Sequence, residues 1–440
     1  MADSIAQADR NYEPGDIIVE CRMPLVATTK YEHRLFTCDS CMRKVDSTIV
    51  CPKCRKVYYC SRQCQDSHSI HQLECPILSR QKQLQFESKG FDYMQRLTLR
   101  LVLLMINQPE VRTREYRLHN GMTRRLDDME CHSNELKDTP QFQGILNYFK
   151  LYKIENYDYD LLLRAYGLLH VNSFGIDSYY SAVTDNATDV QIDHCGSALY
   201  IEASVFDHSC VPNACASGDG MLLEIRALSP ICKGEQIYID YLQDIQPRVE
   251  RQSILADRYF FTCACSRGCS ETLNSEKAFD AGINYKSFDV LNRLIDSMLQ
   301  TNSSNIDAPF NKTSSDINWS QLYRFYKQRL RLQEAYYKEA GYHPCLSLYY
   351  REFLRFVLVN QHRFSEQEPP SQQENSSATK NAVAATTVAP VASLSGHEIE
   401  EDLLEFGVKA KEHLKVTHGV NHSFYSKLFA ASGEQEEKRT

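Results

Sequence analysis

Asp207-His208-Ser209-Cys210-Val211-Pro212-Asn213 is followed by Gly234-Glu235, by Asp240-Tyr241, and then by Cys263, Cys265 and Cys269 just after Phe261. That order of histidine, thiol, phenol and closing cysteines identifies an active site. Upstream stands a second cluster. Cys38-x2-Cys41, Cys51-x2-Cys54, Cys60-x3-Cys64 and His71-x3-Cys75 form four ligand pairs, each spaced so that both side chains can reach one tetrahedral ion. Eight ligands mean two zinc ions. His68 competes with His71 in the last pair, and His71 is preferred because three residues before Cys75 fit one helical turn, whereas His68 projects from the opposite face.

The segment from Asp207 to Cys269 resembles the catalytic half of a SET domain, the fold of most protein lysine methyltransferases. The upstream cluster looks like a MYND finger, and a MYND finger inserted early in a SET domain defines the SMYD family. The resemblance implies an α+β protein: a SET-domain β-fold with a pseudoknot, split by the zinc-binding finger and followed by an all-α, tetratricopeptide-like C-terminal domain. In the pseudoknot the His-Ser-Cys-x-Pro-Asn segment threads under another loop, a rare exception among chains. The resemblance also interleaves the finger, with Cys38, Cys41, Cys60 and Cys64 on one ion and Cys51, Cys54, His71 and Cys75 on the other.

The same resemblance implies S-adenosylmethionine as methyl donor and a lysine of a histone or non-histone protein as acceptor. Tyr241 would direct its hydroxyl at the donor and the incoming nitrogen. Asn172 would lie near the donor's amino-acid moiety, Ser204, Phe206 and His208 along the threaded segment, and Phe261 near adenine. Phe174 and Tyr259 would wall the lysine channel, where aromatic faces favour the cationic products. A third, structural zinc would join Cys210 to Cys263, Cys265 and Cys269, four thiolates leaving no open position. Three positions depart from the pattern. Asp3-Ser4-Ile5 stands where a Gly-x-Gly strand-turn normally wraps the cofactor. Asp207 replaces the usual Asn, as a loop acid, a cap or a cofactor contact. Three residues instead of two separate Cys265 from Cys269. The altered N-terminus motivates an alternative reading, a weak or inactive scaffold whose finger binds proline-containing peptides.

At 440 residues the chain exceeds a single typical core, so two or three units are expected. A net charge of −8 argues against a dedicated nucleic-acid binder, although basic residues outnumber acids from Lys30 to Arg80. Eleven of the 17 cysteines fall in the metal spacings, a pattern that suits a reducing compartment better than a disulfide framework. Met1 to Asp9 holds no apolar signal core, and the strongest apolar run, Leu97 to Ile106, contains Arg100 and is too short to span a bilayer. A monomer in the cytosol or nucleus, with no membrane partner, is expected.

Pro14-Gly15-Asp16 before Ile17-Ile18-Val19-Glu20 reads as a turn into a short strand. Ser61 can cap a helix carrying Cys64 and His71, and Phe86 to Asn107 has helical apolar spacing. Strands are expected at Met221–Ile225 and Glu235–Ile239, and helices at Trp319–Glu339 and Ile399–Val416. The resulting division is an N-terminal SET segment (1–36), the finger (37–76), a helical insertion (77–195), core SET (196–245), a post-SET zinc segment (246–272) and a helical C-terminal domain (273–440). Within that last domain, about 366–395 is polar and lacks the apolar content to pack, so it is expected to be disordered. The Thr417-His418-Gly419-x-x-His422 loop resembles one between the last helices of the SMYD C-terminal domain.

Overall fold

Gly15, at φ 92°, turns the chain into β1 (Ile17–Cys21), whose Val19 and Cys21 face the core while Glu20 faces out. In the computed structural model, residues 6–80, 92–155, 157–181, 190–242, 245–266, 285–299, 317–365 and 394–429 are described. Asp3-Ser4-Ile5, Cys269 and all but the last two residues of the 366–395 tract lie outside them. After β2 (Val26–Thr29) comes the finger, built from β3 (Ile49–Val50), β4 (Tyr58–Tyr59), α1 (Arg62–Ser67) and α2 (Ser69–Arg80). The Ser61 side chain accepts the Cys64 N–H at 3.2 Å as the α1 cap. The helix expected to carry both Cys64 and His71 is two helices, because the backbone leaves helical geometry at His68.

The insertion folds as α3 (Tyr93–Asn107), a hairpin of β5 (Tyr116–Arg117) and β6 (Thr123–Arg124), α4 (Ser133–Leu136), α5 (Pro140–Leu151) and α6 (Tyr159–Asn172). Its core is dominated by Leu97, Leu101, Phe142, Phe149, Leu162 and Leu169. Asp92 caps α3 through Met94 N, so that helix starts at Tyr93, and 81–91 lie outside the described residues. The helices, expected to continue to about Ser173, end at Asn172, and the last part of the 77–195 segment is strand rather than helix. Beyond Asn172, β7 (Ser173–Ser181) and β8 (Val190–Leu199) pair antiparallel, Ser173 opposite Leu199, with β2 on the far edge of β8.

Three further strands surround the expected active-site segment. β9 (Asp207–His208) is followed by β10 (Ala214–Asp219) and β11 (Leu222–Ala227), a hairpin that adds to β1 in the order β1-β11-β10. The central strand, β11, is buried from Leu223 to Ala227, as a strand paired on both edges should be. Of the strand expected at 235–239, only β12 (Tyr238–Ile239) is regular, running parallel to β9. Gln236 bridges Gln7 on the other side. The 235–239 segment is thus held between the N-terminal residues and the Asp207–Asn213 segment, with Asn213 reaching Gln236 O and Tyr238 N through its amide.

After α7 (Arg248–Tyr259), the C-terminal region consists of α8 (Tyr285–Leu299), α9 (Trp319–Tyr337), α10 (Pro344–Ser365), α11 (Gly396–Thr417) and α12 (Ser423–Phe429). Consecutive helices pack as pairs around Trp319, Tyr323, Tyr326, Phe353 and Phe406. Among the described residues no helix is long and apolar enough to cross a membrane. The 417–423 loop docks this region on β10: His422 Nε2 donates to Gly218 O at 2.8 Å, and Ser423 N and Oγ reach Asp219 Oδ2 at 3.0 and 2.6 Å. Gly419 sits at φ 83°, and a Cβ there would stand 2.2 Å from Arg226 Nη2. Gly419→Ala therefore combines positive-φ strain with a clash and is expected to cost more than about 1 kcal/mol, read as a lowered midpoint in urea.

Candidate active site and metal centres

The finger gathers its ligands as two sets. Cys38, Cys41, Cys60 and Cys64 form one; Cys51, Cys54, His71 and Cys75 form the other, the ligand atoms of each lying within 4.8 Å of one another. Tetrahedral zinc with Zn–S near 2.3 Å places thiolates about 3.8 Å apart. The observed separations are 3.9 Å for Cys41–Cys60, 3.4 Å for Cys60–Cys64 and 3.8 Å for Cys51–Cys75. His71 Nε2 stands 3.4 Å from Cys51 Sγ and 3.6 Å from Cys54 Sγ. Both donor sets thus fit the ion. His68 is outside them, its Nδ1 3.3 Å from the Tyr59 hydroxyl. Burial pushes the Cys51 thiol up, but the Cys54 amide and His71 bring it down to about 6, favouring the thiolate a metal requires.

Behind His71 lies a buried ionic cluster. Glu74 Oε1 is 2.8 Å from His71 Nδ1, which fixes the ring so that Nε2 faces the thiols, as a carboxylate behind a metal-bound imidazole does. Glu74 also meets Arg96 and Arg100 of α3, Nη2 to Oε1 at 2.6 Å in both cases, and both arginines reach Asp39 beside Cys38. Arg100 further donates to Ala27 O of β2. Burial opposes ionisation of Asp39 and Glu74, but Arg100 and then Arg96 hold both carboxyls far below the usual range.

A cleft of about 1060 Å³ opens between β9, the segment after β12, α7 and the helical insertion. It brings together Asn172, Ser204, Asp207, His208, Tyr241, Tyr259 and Phe261 of the expected site, which reach it from four separate stretches of the chain. Tyr241 is the best-held of them. Its hydroxyl donates to Phe206 O at 2.7 Å, its backbone N–H donates to His208 Nδ1 at 3.0 Å, and its ring lies 4.7 Å from that of Tyr259. Burial, then Asp207 and Tyr259, raise the phenol above its ordinary value, so it is protonated at neutral pH. Because His208 Nδ1 accepts a backbone N–H, the neutral ring carries its proton on Nε2, 3.3 Å from Cys210 Sγ. Burial lowers the His208 pKa and keeps that ring neutral.

The other expected residues are placed less simply. Both amide N–H donors of Asn172 are spent, on Glu130 O at 2.9 Å and Leu168 O at 2.8 Å. Phe206 is buried and offers the site its carbonyl; its ring packs on His119. Phe174 meets Tyr200 edge-on at 6.1 Å and is not among the residues lining the cleft. Cys210 and Cys263 approach to 4.0 Å, and with His208 they form a third possible metal group. Cys265 packs in the same cluster; Cys269 lies outside the described residues. Gln252 of α7 clamps Cys263 from both sides, donating to its carbonyl at 2.8 Å and accepting its N–H at 3.0 Å.

Sequence reasoning missed Arg124, Glu130, His132 and Gln252. The first three enter the cleft from the helical insertion, and no local motif distinguishes them from surface polar residues.

Comparison with known proteins adds the following. The profile of the SET domain family matches residues 6–242. The N-lysine methyltransferase SMYD2 of Rattus norvegicus is 28% identical over 281 residues, covering 62% of this chain and 59% of that protein. SMYD2 of Homo sapiens is 27% identical over 276 residues (61% and 58%), and SMYD2-A of Danio rerio 26% over 277 (62% and 59%). The match thus spans about three fifths of the length of these relatives.

Proposed function

This chain belongs to the SET domain family, in its SET-and-MYND branch, and from that premise we propose that it is a protein-lysine N-methyltransferase using S-adenosylmethionine. The observation that carries the proposal is Tyr241, its hydroxyl proton held on Phe206 O and its ring packed on Tyr259, in a cleft large enough for a nucleoside cofactor and a side chain. Bound there, the donor supplies a sulfonium whose methyl carbon is electron-poor. Transfer to an amine is an in-line displacement, so the protein contributes alignment and electrostatics. Tyr241, with its proton committed to Phe206 O, turns an oxygen lone pair toward the reacting centre. His208 holds the Tyr241 backbone in place through Nδ1.

Tyr259 and Tyr241 are the aromatic wall against which the substrate lysine lies, and desolvation between such rings favours the neutral, nucleophilic amine. Phe261, Ser204 and His208 are the cofactor side of the same cleft. The finger's two sets would hold structural zinc, and Cys210, Cys263 and Cys265, with Cys269, would hold a third ion whose role would be structural, since four thiolates leave no open position. The acceptor is a lysine of a histone or non-histone protein. The cysteine spacings suit metal ligation better than a disulfide framework, which supports a reducing compartment, the cytosol or nucleus.

The test is calorimetric titration of the full, zinc-loaded chain with S-adenosylmethionine, followed by transfer of labelled methyl to lysine-bearing proteins. Micromolar binding and label on lysine are expected. A chain that binds neither S-adenosylmethionine nor its demethylated product is not this enzyme.

A further inference from the structure

The connection from α9 to α10 is made by a strained turn. A 3-10 turn over Lys338–Ala340 is followed by Gly341 at φ 72° and ψ −76°, where Tyr342 N bonds to Ala340 O at 2.9 Å. That is a γ-turn of positive φ, a rare and strained form that glycine adopts most readily. It faces the SET sheet, since a Cβ on Gly341 would stand 4.0 Å from Leu228 O, just past β11. Two residues on, His343 is 3% exposed, and its ring stacks on Tyr337 at 4.1 Å and 17°. Its Nδ1 accepts the Cys345 N–H at 3.3 Å, so Nε2 carries a proton. That nitrogen stands 3.6 Å from Asp240 Oδ2, an ion-pair rather than a hydrogen-bond distance. Burial pulls the His343 pKa down, but Cys345 and Asp240 more than offset it, to about 9, so a cation faces the carboxylate at neutral pH.

Asp240 immediately precedes Tyr241 and holds its segment. Its Oδ1 accepts the Leu242 N–H at 2.8 Å and lies 3.4 Å from His208 Nδ1, the atom that accepts the Tyr241 N–H. The carboxylate therefore braces the backbone on both sides of Tyr241, while its second oxygen meets the helical region. We propose that His343 is a positioning residue for methyl transfer, fixing the Asp240 carboxylate and through it the angle at which Tyr241 presents its hydroxyl. The inference rests on the methyl-transfer reading. Alignment is what the protein contributes to an in-line displacement, and a misplacement of about 1 Å can cost roughly a hundredfold in rate. Neither Asp240 nor His343 lines the cleft, so binding of the donor is not expected to feel their contact.

His343→Phe keeps a ring on Tyr337 and deletes the contact with Asp240. In the full, zinc-loaded chain it should lower single-turnover methyl transfer at saturating donor about tenfold per folded molecule, the scale of one charge-assisted contact, with calorimetric affinity for S-adenosylhomocysteine unchanged. His343→Gln, which keeps an N–H within reach of Asp240, should recover most of the rate. Combined with Tyr241→Phe, His343→Phe should cost nothing further, because both act through one hydroxyl. Asp240→Asn keeps the bond from Leu242 and removes the charge opposite His343. It should also slow transfer with donor affinity intact, and it carries the test if His343→Phe does not fold. Turnover equal to the parent's in either variant overturns the proposal. So does a loss of rate and donor affinity together, a His343→Gln protein no faster than His343→Phe, or a full additional loss in the Tyr241→Phe background. A parent chain that transfers no methyl overturns the methyl-transfer reading. The positioning is then read from crystal structures of the parent and His343→Phe, and a Tyr241 hydroxyl still 2.7 Å from Phe206 O in the variant overturns it as well.

Discussion

Tyr241→Phe is expected to lower methyl transfer at saturating donor by about 10²–10³-fold, the cost of removing one preorganised polar group from a reacting centre, while leaving zinc content and donor affinity unchanged. The substitution deletes one oxygen and keeps the ring, so the packing on Tyr259 and on Phe261, 4.7 and 6.4 Å between centroids, survives. The bond from the Tyr241 backbone to His208 survives too. What disappears is the hydroxyl anchored on Phe206 O. Because burial and Asp207 raise the phenol above its ordinary value, Tyr241 does not ionise near neutrality and serves as an oriented dipole rather than a base. Rate should accordingly rise with pH as the substrate amine loses its proton, with no inflection from Tyr241. Single-turnover rates with labelled donor, beside metal analysis of both proteins, check this. Turnover equal to that of the parent removes Tyr241 from the mechanism.

The finger was legible because its information is local. Ligands two or three residues apart reach one ion whatever the rest of the chain does, and His71 over His68 followed from helical direction alone. That Tyr241 would line the cleft was legible for a different reason, its place between a glycine turn and a cysteine cluster. The hairpin of β7 and β8 was not. Asp193-His194-Cys195-Gly196-Ser197 lacks apolar alternation, and in its partner only Phe174 and Ile176 alternate with Ser173, Gly175 and Asp177; these strands are held by pairing to each other and to β2, a non-local cause that periodicity does not register. Gly196 is explained only by that pairing, since a Cβ there would stand 2.4 Å from Thr28 O. Arg124 escaped notice because its partners are the Ser204 carbonyl and hydroxyl, 80 residues away. Arg100 was visible only as a flaw in an apolar run. Its counter-ions are 61 and 26 residues distant, in the finger.

Arg100→Ala is expected to destabilise the protein by about 3–5 kcal/mol, the range found when one member of a buried charge cluster is removed. Arg100 is fully buried and shares Asp39 and Glu74 with Arg96, so two cations face two anions with almost no water. Deleting Arg100 leaves one negative charge uncompensated and strips Ala27 O of its donor. The effect should reach the metal, because Glu74 also orients His71, and a misaligned imidazole binds zinc less tightly. A faster release of one zinc to a chromophoric chelator should therefore accompany the lowered urea midpoint. Combining Arg100→Ala with Glu74→Gln separates the two consequences. The double variant restores charge balance and should cost less than the sum of the single changes, yet its zinc loss should persist, since glutamine is a weaker partner for His71. A single variant within about 0.5 kcal/mol of the parent, the range of ordinary surface substitutions, would show that the cluster does not join the finger to the SET sheet.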